Sequence, residues 1–373
     1  MCLYFGIIKD MKSIGMTEYQ GRCDEQDKPV GHCPKVLKEY YNFIKDDYLV
    51  RVYAPKNILR ETDREIQKNS RVLPRRVVMH SKKTLATRIG GKLNMFKNIS
   101  LAVSQSNEDI LWFFNIEWYF MLWLALHKKP RDKKIIVTMF KEGFKGGIAG
   151  VFRQFIFNKA KKKIDLIITS GPSFKYGKCE TVFIPDYVYS MEKYDKYLNK
   201  EKRDEVVCLG TMGDGKQLEE LVSVFSMMDY PLTIAGRFYD KERLEALKSM
   251  ASENVTIIDK YLSDEEYMDM LSSARYTILP YSKTAYTNQT SGVLQEAMFV
   301  NTIPIARRDV LTVNEIPGMP FDEWSDMDSN YSEKLRIYAS NAEKIYSEYA
   351  LLRKDRYADY KVRREYKKVF AKL

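Results

Sequence analysis

Histidine is nearly missing from this chain: His32, His80 and His127 are the only three in 373 residues. A lone histidine is more often structural than functional, and none of the three is taken as a site residue. Cysteine is also sparse. Cys2, Cys23, Cys33, Cys179 and Cys208 form an odd set with no Cys-x-x-Cys pair and no secretory signal before them. That excludes a disulfide frame and a zinc site, and points to a reducing cytosol. No apolar run reaches the roughly 20 residues that a membrane-crossing helix needs. Ile110–Leu126 comes nearest, but Asn115 and Glu117 interrupt it. A strand at Ile110–Phe114, a turn at Asn115 and a buried helix from Glu117 fit the surrounding rhythm better. Repeats and low-complexity tracts are lacking as well.

What is present is globular: 45% hydrophobic and 30% charged residues, enough chain for two domains. The net charge of +11 is unevenly placed. Residues 1–200 hold 37 Lys and Arg against 21 Asp and Glu, while the remainder holds 24 against 29. Within 51–100 the ratio is 13 to 3. A one-sided basic half suggests a surface that meets something anionic, the alternative being a solvated lysine-rich face.

The second half shows short apolar runs at Val206–Gly210, Pro231–Gly236, Val255–Asp259, Tyr276–Tyr281 and Thr302–Ala306. Rich in Val, Ile and Leu without alternation, they read as strands buried on both faces of a parallel sheet. Helical stretches separate them. Leu218, Leu221, Val222 and Phe225 recur at i, i+3, i+4 and i+7, Ser263 with Glu266 forms a capping box, and Leu294–Val300 is a third helix. Strand–helix alternation of this length gives a doubly wound α/β sheet.

The first half follows the same pattern. Strands are expected at Leu3–Ile8, Tyr48–Ala54, Ile135–Thr138 and Leu166–Thr169, with helices near Lys35–Ile44 and Ile148–Lys162. The seam falls near Pro185–Lys200, where Tyr187–Lys200 shows no apolar period. The domains expected are 1–190, 200–330 and a helical segment at 331–373 that crosses back to the first. Two such Rossmann-like domains would face a cleft at the carboxyl ends of their strands, where ligands of these sheets bind.

Chemistry concentrates in Tyr281–Ala306. A strand ends at Tyr281, a polar loop follows, and a helix opens near Ser291-Gly292. Amides of a first helical turn have no intrahelical partner and lie at the positive end of the dipole. Gly292 would admit a ligand close to the backbone, and Thr290 or Ser291 would add a hydroxyl, which together suit a diphosphate. Glu296, a turn further in, would accept from two ribose hydroxyls. Read alone, the same stretch is a capped helix with Glu296 on the surface. Two cations stand at sister strand ends: Lys216 in Gly210-Thr211-Met212-Gly213-Asp214-Gly215-Lys216, and Arg237 after Gly236. The glycine turn is not a Walker loop, because no Ser or Thr follows Lys216.

Glu296-Ala297-Met298-Phe299-Val300-Asn301-Thr302-Ile303-Pro304-Ile305, with Leu279-Pro280-Tyr281 upstream and the glycine turn before Lys216, resembles the retaining nucleotide-sugar glycosyltransferases of the GT-B fold (group 1, family 4-like). The likeness covers about 206–306 and is only architectural in the first half. It implies that Lys216 contacts the donor diphosphate, that Glu296 holds the nucleotide ribose, and that Ser291 and Gly292 hold the distal phosphate. Tyr281, Thr290 and Arg237 complete the donor set. Departures are visible. The slot of the family's first glutamate is Asn288, the Arg that commonly precedes the Lys is Thr211 or Met212, and Arg237 would substitute. In the first domain Gly15 stands for the glycine-rich loop. No histidine occurs at the strand end Thr138–Glu142, which leaves Glu142 as the acceptor-side candidate. Asn288 and Glu142 are therefore the catalytic candidates.

The resemblance implies transfer from a nucleotide-sugar donor to a glycan or lipid-linked acceptor in surface polysaccharide assembly, with retention. No metal or other cofactor is implied, since cations and amides stabilise the leaving group. Arg75, Arg76, Lys82, Lys83, Arg88 and Lys92, with Leu85, Ile89, Leu93 and Phe96 on one side of Thr84–Lys97, would suit an anionic leaflet at the cytoplasmic face. An ordinary surface helix is the alternative. Rival readings are a nucleotide-sugar epimerase or silent GT-B relative, and a basic nucleic-acid-binding protein, although no nucleic-acid motif is present.

Overall fold

A computed structural model describes the chain outside residues 1–10, 31–32, 80–83, 115, 143–146, 284, 287 and 329, and outside the side chains of 147–149. The strand expected at Leu3–Ile8, the turn at Asn115, and His32, His80, Lys82 and Lys83 lie outside the described residues.

Two compact units form. One takes the chain up to Ser170 with Phe174–Asp186 and Val362–Leu373; the other takes Gly171–Ser173 and Tyr187–Lys361. The crossing thus falls between Asp186 and Tyr187, and the segment expected as 331–373 is divided at Lys361.

In the first unit seven strands run parallel: β1 (Ser13–Thr17), β2 (Leu49–Pro55), β3 (Ser70–Leu73), β4 (Ile110–Phe113), β5 (Lys134–Met139), β6 (Leu166–Thr169) and β7 (Thr181–Phe183). Their spatial order is β3-β2-β1-β4-β5-β6-β7, so the winding reverses between β1 and β4. β4 and β6 are buried along their full length, which explains why their sequences are apolar without alternation. Helices α1 (Cys33–Ile44), α2 (Leu85–Gln105), α3 (Trp118–Leu126) and α4 (Gly147–Ala160) cover the sheet. No helix among the described residues is long and apolar enough to cross a membrane.

The second unit has β8 (Arg203–Leu209), β9 (Leu232–Gly236), β10 (Val255–Asp259), β11 (Ala274–Leu279), β12 (Ile303–Arg307) and β13 (Met319–Phe321), all parallel in the order β10-β9-β8-β11-β12-β13. Its helices are α5 (Met191–Leu198), α6 (Leu218–Ser226), α7 (Lys241–Met250), α8 (Asp264–Ser273), α9 (Gly292–Phe299), α10 (Tyr331–Ser340) and α11 (Ala342–Leu352). Leu218, Leu221, Val222 and Phe225 are buried as their spacing requires. Both bonds of the Ser263–Glu266 capping box form, and Lys260 together with these bonds holds the Glu266 carboxyl down at about 2. Helix α5 was not foreseen. Its buried positions are Tyr194 and Tyr197, three apart, and Tyr194 packs 5.0 Å from Phe299. The apolar period is there, written in tyrosine.

The last helix, α12 (Asp359–Lys372), supplies the first unit's aromatic core. Val362, Tyr366, Val369 and Phe370 recur at i, i+4, i+7 and i+8 and are all buried. Tyr366 and Phe370 sit 5.3 and 5.4 Å from Trp112 of β4, and Tyr40 of α1 stacks on the same indole at 5.0 Å. Lys12 donates to the carbonyls of Phe370 and Ala371, both at 3.3 Å, a cation at the negative end of the helix. Phe370→Ala is expected to cost about 3–5 kcal/mol in urea denaturation, because the cavity opens against Trp112.

Candidate functional site

In the second unit the winding reverses between β8 and β11. Ligands of open parallel sheets bind at such a point, beyond the carboxyl ends of the strands. The loops leaving these two strands are tied together. Gln217 N–H donates to Pro280 O at 2.7 Å, Ser282 N–H donates to Gly215 O at 3.0 Å, and Lys216 pairs with Tyr281 across a β-bridge. Gly210 and Gly236 end β8 and β9 back to back. A Cβ on Gly236 would stand 1.7 Å from Gly210 O, so no other residue fits.

Lys216 is half-buried in this turn and donates to Leu209 O at 2.9 Å and Met212 Sδ at 3.6 Å. Burial holds its ammonium below the usual lysine range. Among the described residues no carboxylate pairs with it. Arg243, which the sequence did not single out, braces the turn. It donates to Gly213 O at 3.3 Å and Lys216 O at 2.8 Å while forking onto Glu219 at 2.6 Å for both oxygens. Arg237 lies over the Tyr239 ring at 5.0 Å, and its carbonyl accepts from Met212 N–H at 3.0 Å.

Helix α9 opens where it was expected. Leu294 and Gln295 N–H donate to Ser291 O, the first helical turn carries no acidic residue, and the Ser291 side chain caps nothing. At the opposite end two cations collect. Lys202 donates to Val300 O (2.8 Å), Ser272 O (2.5 Å) and Thr302 Oγ1 (3.0 Å), and burial pulls its ammonium down to about 7. Arg353, buried, donates to Met298 O at 2.8 Å and Asn301 Oδ1 at 2.7 Å. The carbonyl end of the dipole is thus neutralised, while the first turn at the amide end carries no acidic residue.

Glu296 is not on the surface: it is buried on α9 and faces Tyr267 of α8, whose phenol is raised well above its usual range by burial and then by this carboxylate. Thr290 and Ser291 are buried too. The Tyr281 and Ser291 hydroxyls meet each other at 3.1 Å, and Ser291 N–H donates to Asn314 Oδ1 at 3.1 Å. Tyr286 stacks on Tyr281 at 3.8 Å. Asn288 has φ 54°, a left-handed conformation that asparagine tolerates better than glutamate, so the residue at that slot matches its backbone. Gly292 needs a different explanation from the one the sequence suggested. A Cβ there would meet the Tyr187 ring at 2.3 Å, so the space beside it belongs to an aromatic side chain.

The first unit corrects the expected loop. Gly15 lies inside β1, and the chain turns after the strand at Glu18–Gly21, with Gly21 at φ 56°. Glu18 is wholly buried. Its Oε1 accepts from the amides of Gln20 and Gly21, both at 3.0 Å, and its Oε2 has no hydrogen-bond partner among the described residues. Burial raises its carboxyl from 4.5 to about 7, against the pull of those amides and of Arg22. After β4, Glu117 bridges Arg22 at 3.3 Å and Lys141 at 3.5 Å. Glu142, the acceptor-side candidate, accepts from Lys175 N–H at 3.2 Å. Glu18 and Glu117, not Glu142, flank the point where this sheet reverses. Glu18 escapes the sequence reading because no strand is expected at Ser13–Thr17, while Glu117, after the expected strand at Ile110–Phe114, takes its place only from the pairing of β1 with β4.

No family model and no curated protein matches the chain. Solved structures match it along nearly its whole length. A sucrose-phosphate synthase from Thermosynechococcus elongatus is 14% identical, covers 97% of this chain and 100% of its own, and superposes with a TM-score of 0.64. Anabaena HepE, solved in complex with UDP, is 12% identical over 97% and 100% with a TM-score of 0.65. The trehalose-6-phosphate synthase OtsA is 9% identical over 97% and 99% with a TM-score of 0.66. At such identities the likeness shows the fold: two Rossmann-like doubly wound units of the GT-B class.

Glu18 generates a pH prediction. A carboxyl that ionises near 4.5 when unfolded and near 7 when folded favours the neutral form in the fold. Its contribution is complete below the lower value and is lost as pH rises through the higher one, by roughly 3 kcal/mol in all. Glu18→Gln keeps an acceptor for both amides and cannot ionise. Denaturation between pH 5 and 8 is expected to show the wild-type chain weakening relative to this variant.

Proposed function

We propose that the chain is a glycosyltransferase that moves a sugar from a nucleoside-diphosphate sugar to a glycan or lipid-linked acceptor, with retention, in surface polysaccharide assembly. The observation that carries this reading is the open amide end of α9 beside Lys216, a partly buried ammonium with no carboxylate partner among the described residues. In this reading the diphosphate lies on the α9 amides and Lys216, Arg237 adds a second cation, and Glu296 takes the ribose. As the bond between sugar and diphosphate breaks, negative charge grows on the leaving group. Preorganised amides and an ammonium out of bulk water stabilise it, and no metal is called for. Asn288 stands near the sugar and offers an amide in place of an acid. On the acceptor side Glu18 joins Glu142 as a candidate carboxylate. A nucleotide-sugar-binding relative without transfer is the second reading, favoured by Asn288.

A thermal-shift screen against UDP-, GDP- and ADP-sugars tests the donor site, since a ligand that binds only the native state stabilises it. Lys216→Met is expected to leave the empty protein at least as stable, because a half-buried charge is removed. It should weaken nucleotide binding roughly 10- to 100-fold, the worth of a charged hydrogen bond. A Lys216→Met protein that binds as tightly as wild type would sink the assignment.

The lipid-linked acceptor and the leaflet belong to the same reading. On α2, which Thr84 caps, Leu85, Ile89 and Leu93 stand exposed at i, i+4 and i+8 beside Arg88 and Lys92. On α4, Val151, Phe152 and Phe155 are exposed as well, and Arg153 lies 5.6 Å from the Trp118 ring of α3. Vesicles of phosphatidylglycerol are expected to pull down the protein, with binding lost in high salt and in an Ile89→Glu, Phe152→Glu double variant. Equal sedimentation with neutral phosphatidylcholine vesicles would remove the electrostatic part of the proposal.

A further inference from the structure

Ser291 was the expected hydroxyl partner of the distal phosphate, but its side chain is 1% exposed and faces the Tyr281 hydroxyl at 3.1 Å. Another hydroxyl lies at the amide end of α9. From the position a Cβ on Gly292 would occupy, Tyr187 Cζ is 2.3 Å away, Oη 2.5 Å and Cε2 2.6 Å. The phenol oxygen, and not only the ring, therefore stands over the first residue of the helix. Leu294 and Gln295 N–H already donate to Ser291 O, which leaves the amides of Gly292 and Val293 as the ones a bound anion would meet. A phosphoryl oxygen seated on those amides comes within reach of a donor at Oη. Tyr187 is itself buried, and its phenol acts electrostatically on Tyr267, the side chain that faces Glu296. The same ring thus stands at the first residue of α9 and within electrostatic range of the side chain that faces Glu296. Lys216, at the sister strand end, is an independent sign that an anion belongs here.

We propose that the Tyr187 hydroxyl binds the distal phosphate of a nucleoside diphosphate at the amide end of α9. The proposal rests on the donor-site reading above and names a residue that reading lacked. It also accounts for Gly292: a side chain there would displace the ring that carries the hydroxyl. Tyr187 is the residue at which the chain leaves the first unit, directly after Asp186. The same ring covers the first residue of α9, which limits the water that reaches the phosphate.

Calorimetric titration of UDP, GDP and ADP, and of their monophosphates, into wild-type protein, Tyr187→Phe and Lys216→Met tests it. Removing only the hydroxyl is expected to weaken the bound diphosphate about 10-fold and leave the matching monophosphate unchanged, with the melting temperature of the empty protein preserved. A Tyr187→Phe protein that binds the diphosphate as wild type does, or more tightly, overturns the role of Tyr187 while Lys216→Met still reports on the donor site. An equal loss for diphosphate and monophosphate also overturns it, since that marks a packing role alone. If wild type binds no nucleotide, the donor-site reading fails and takes this inference with it.

Discussion

The polarity of one short helix organises the second unit. Helix α9 ends in carbonyls that Lys202 and Arg353 satisfy and begins in a first turn that carries no acidic residue. Two cations at its carbonyl end screen the dipole there and leave the field at the amide end unopposed. Lys202 also donates to Ser272 O in the last turn of α8, so one half-buried ammonium joins the ends of two helices. Burial lowers that ammonium to about 7, yet its three donors have three acceptors, the arrangement that keeps a buried charge tolerable.

Lys216 is the contrasting case. Its partners are a carbonyl and a thioether, which solvate an ammonium poorly. Arg243 holds the backbone of the same turn through Gly213 O and Lys216 O, so the turn cannot easily relax to release the charge to water. On the proposed reading, a site that keeps this cation without an anion is less stable when empty and gains when the diphosphate arrives. That trade is common where binding rather than stability sets the residue. The first unit holds its own unmatched group in Glu18, an acid with one oxygen bound to two amides and the other without a hydrogen-bond partner among the described residues.

Much of this was legible in the residues themselves. The apolar runs marked β8 to β12, the Ser263–Glu266 pair marked the start of α8, and the glycine turn before Lys216 marked the strand end, because each depends on neighbours a few residues away. Among the elements that escaped, two did so for plain local reasons. Helix α5 carries its stripe as Tyr194 and Tyr197, which a reading keyed to aliphatic residues passes over. Strand β13 is three residues long, too short to show a period.

The sequence alone determined two doubly wound α/β units, the polar loop after Tyr281 and the helix opening at Gly292, since period and turn chemistry are written in adjacent residues. Tertiary structure decided the rest. It placed Tyr187 over Gly292, Arg353 at the end of α9, Arg243 under the Lys216 turn and Glu18 at the reversal of the first sheet. It also sent α12 to Trp112. Each of these pairs residues that are far apart in the chain or depends on which strand lies beside which, and no local pattern encodes that choice.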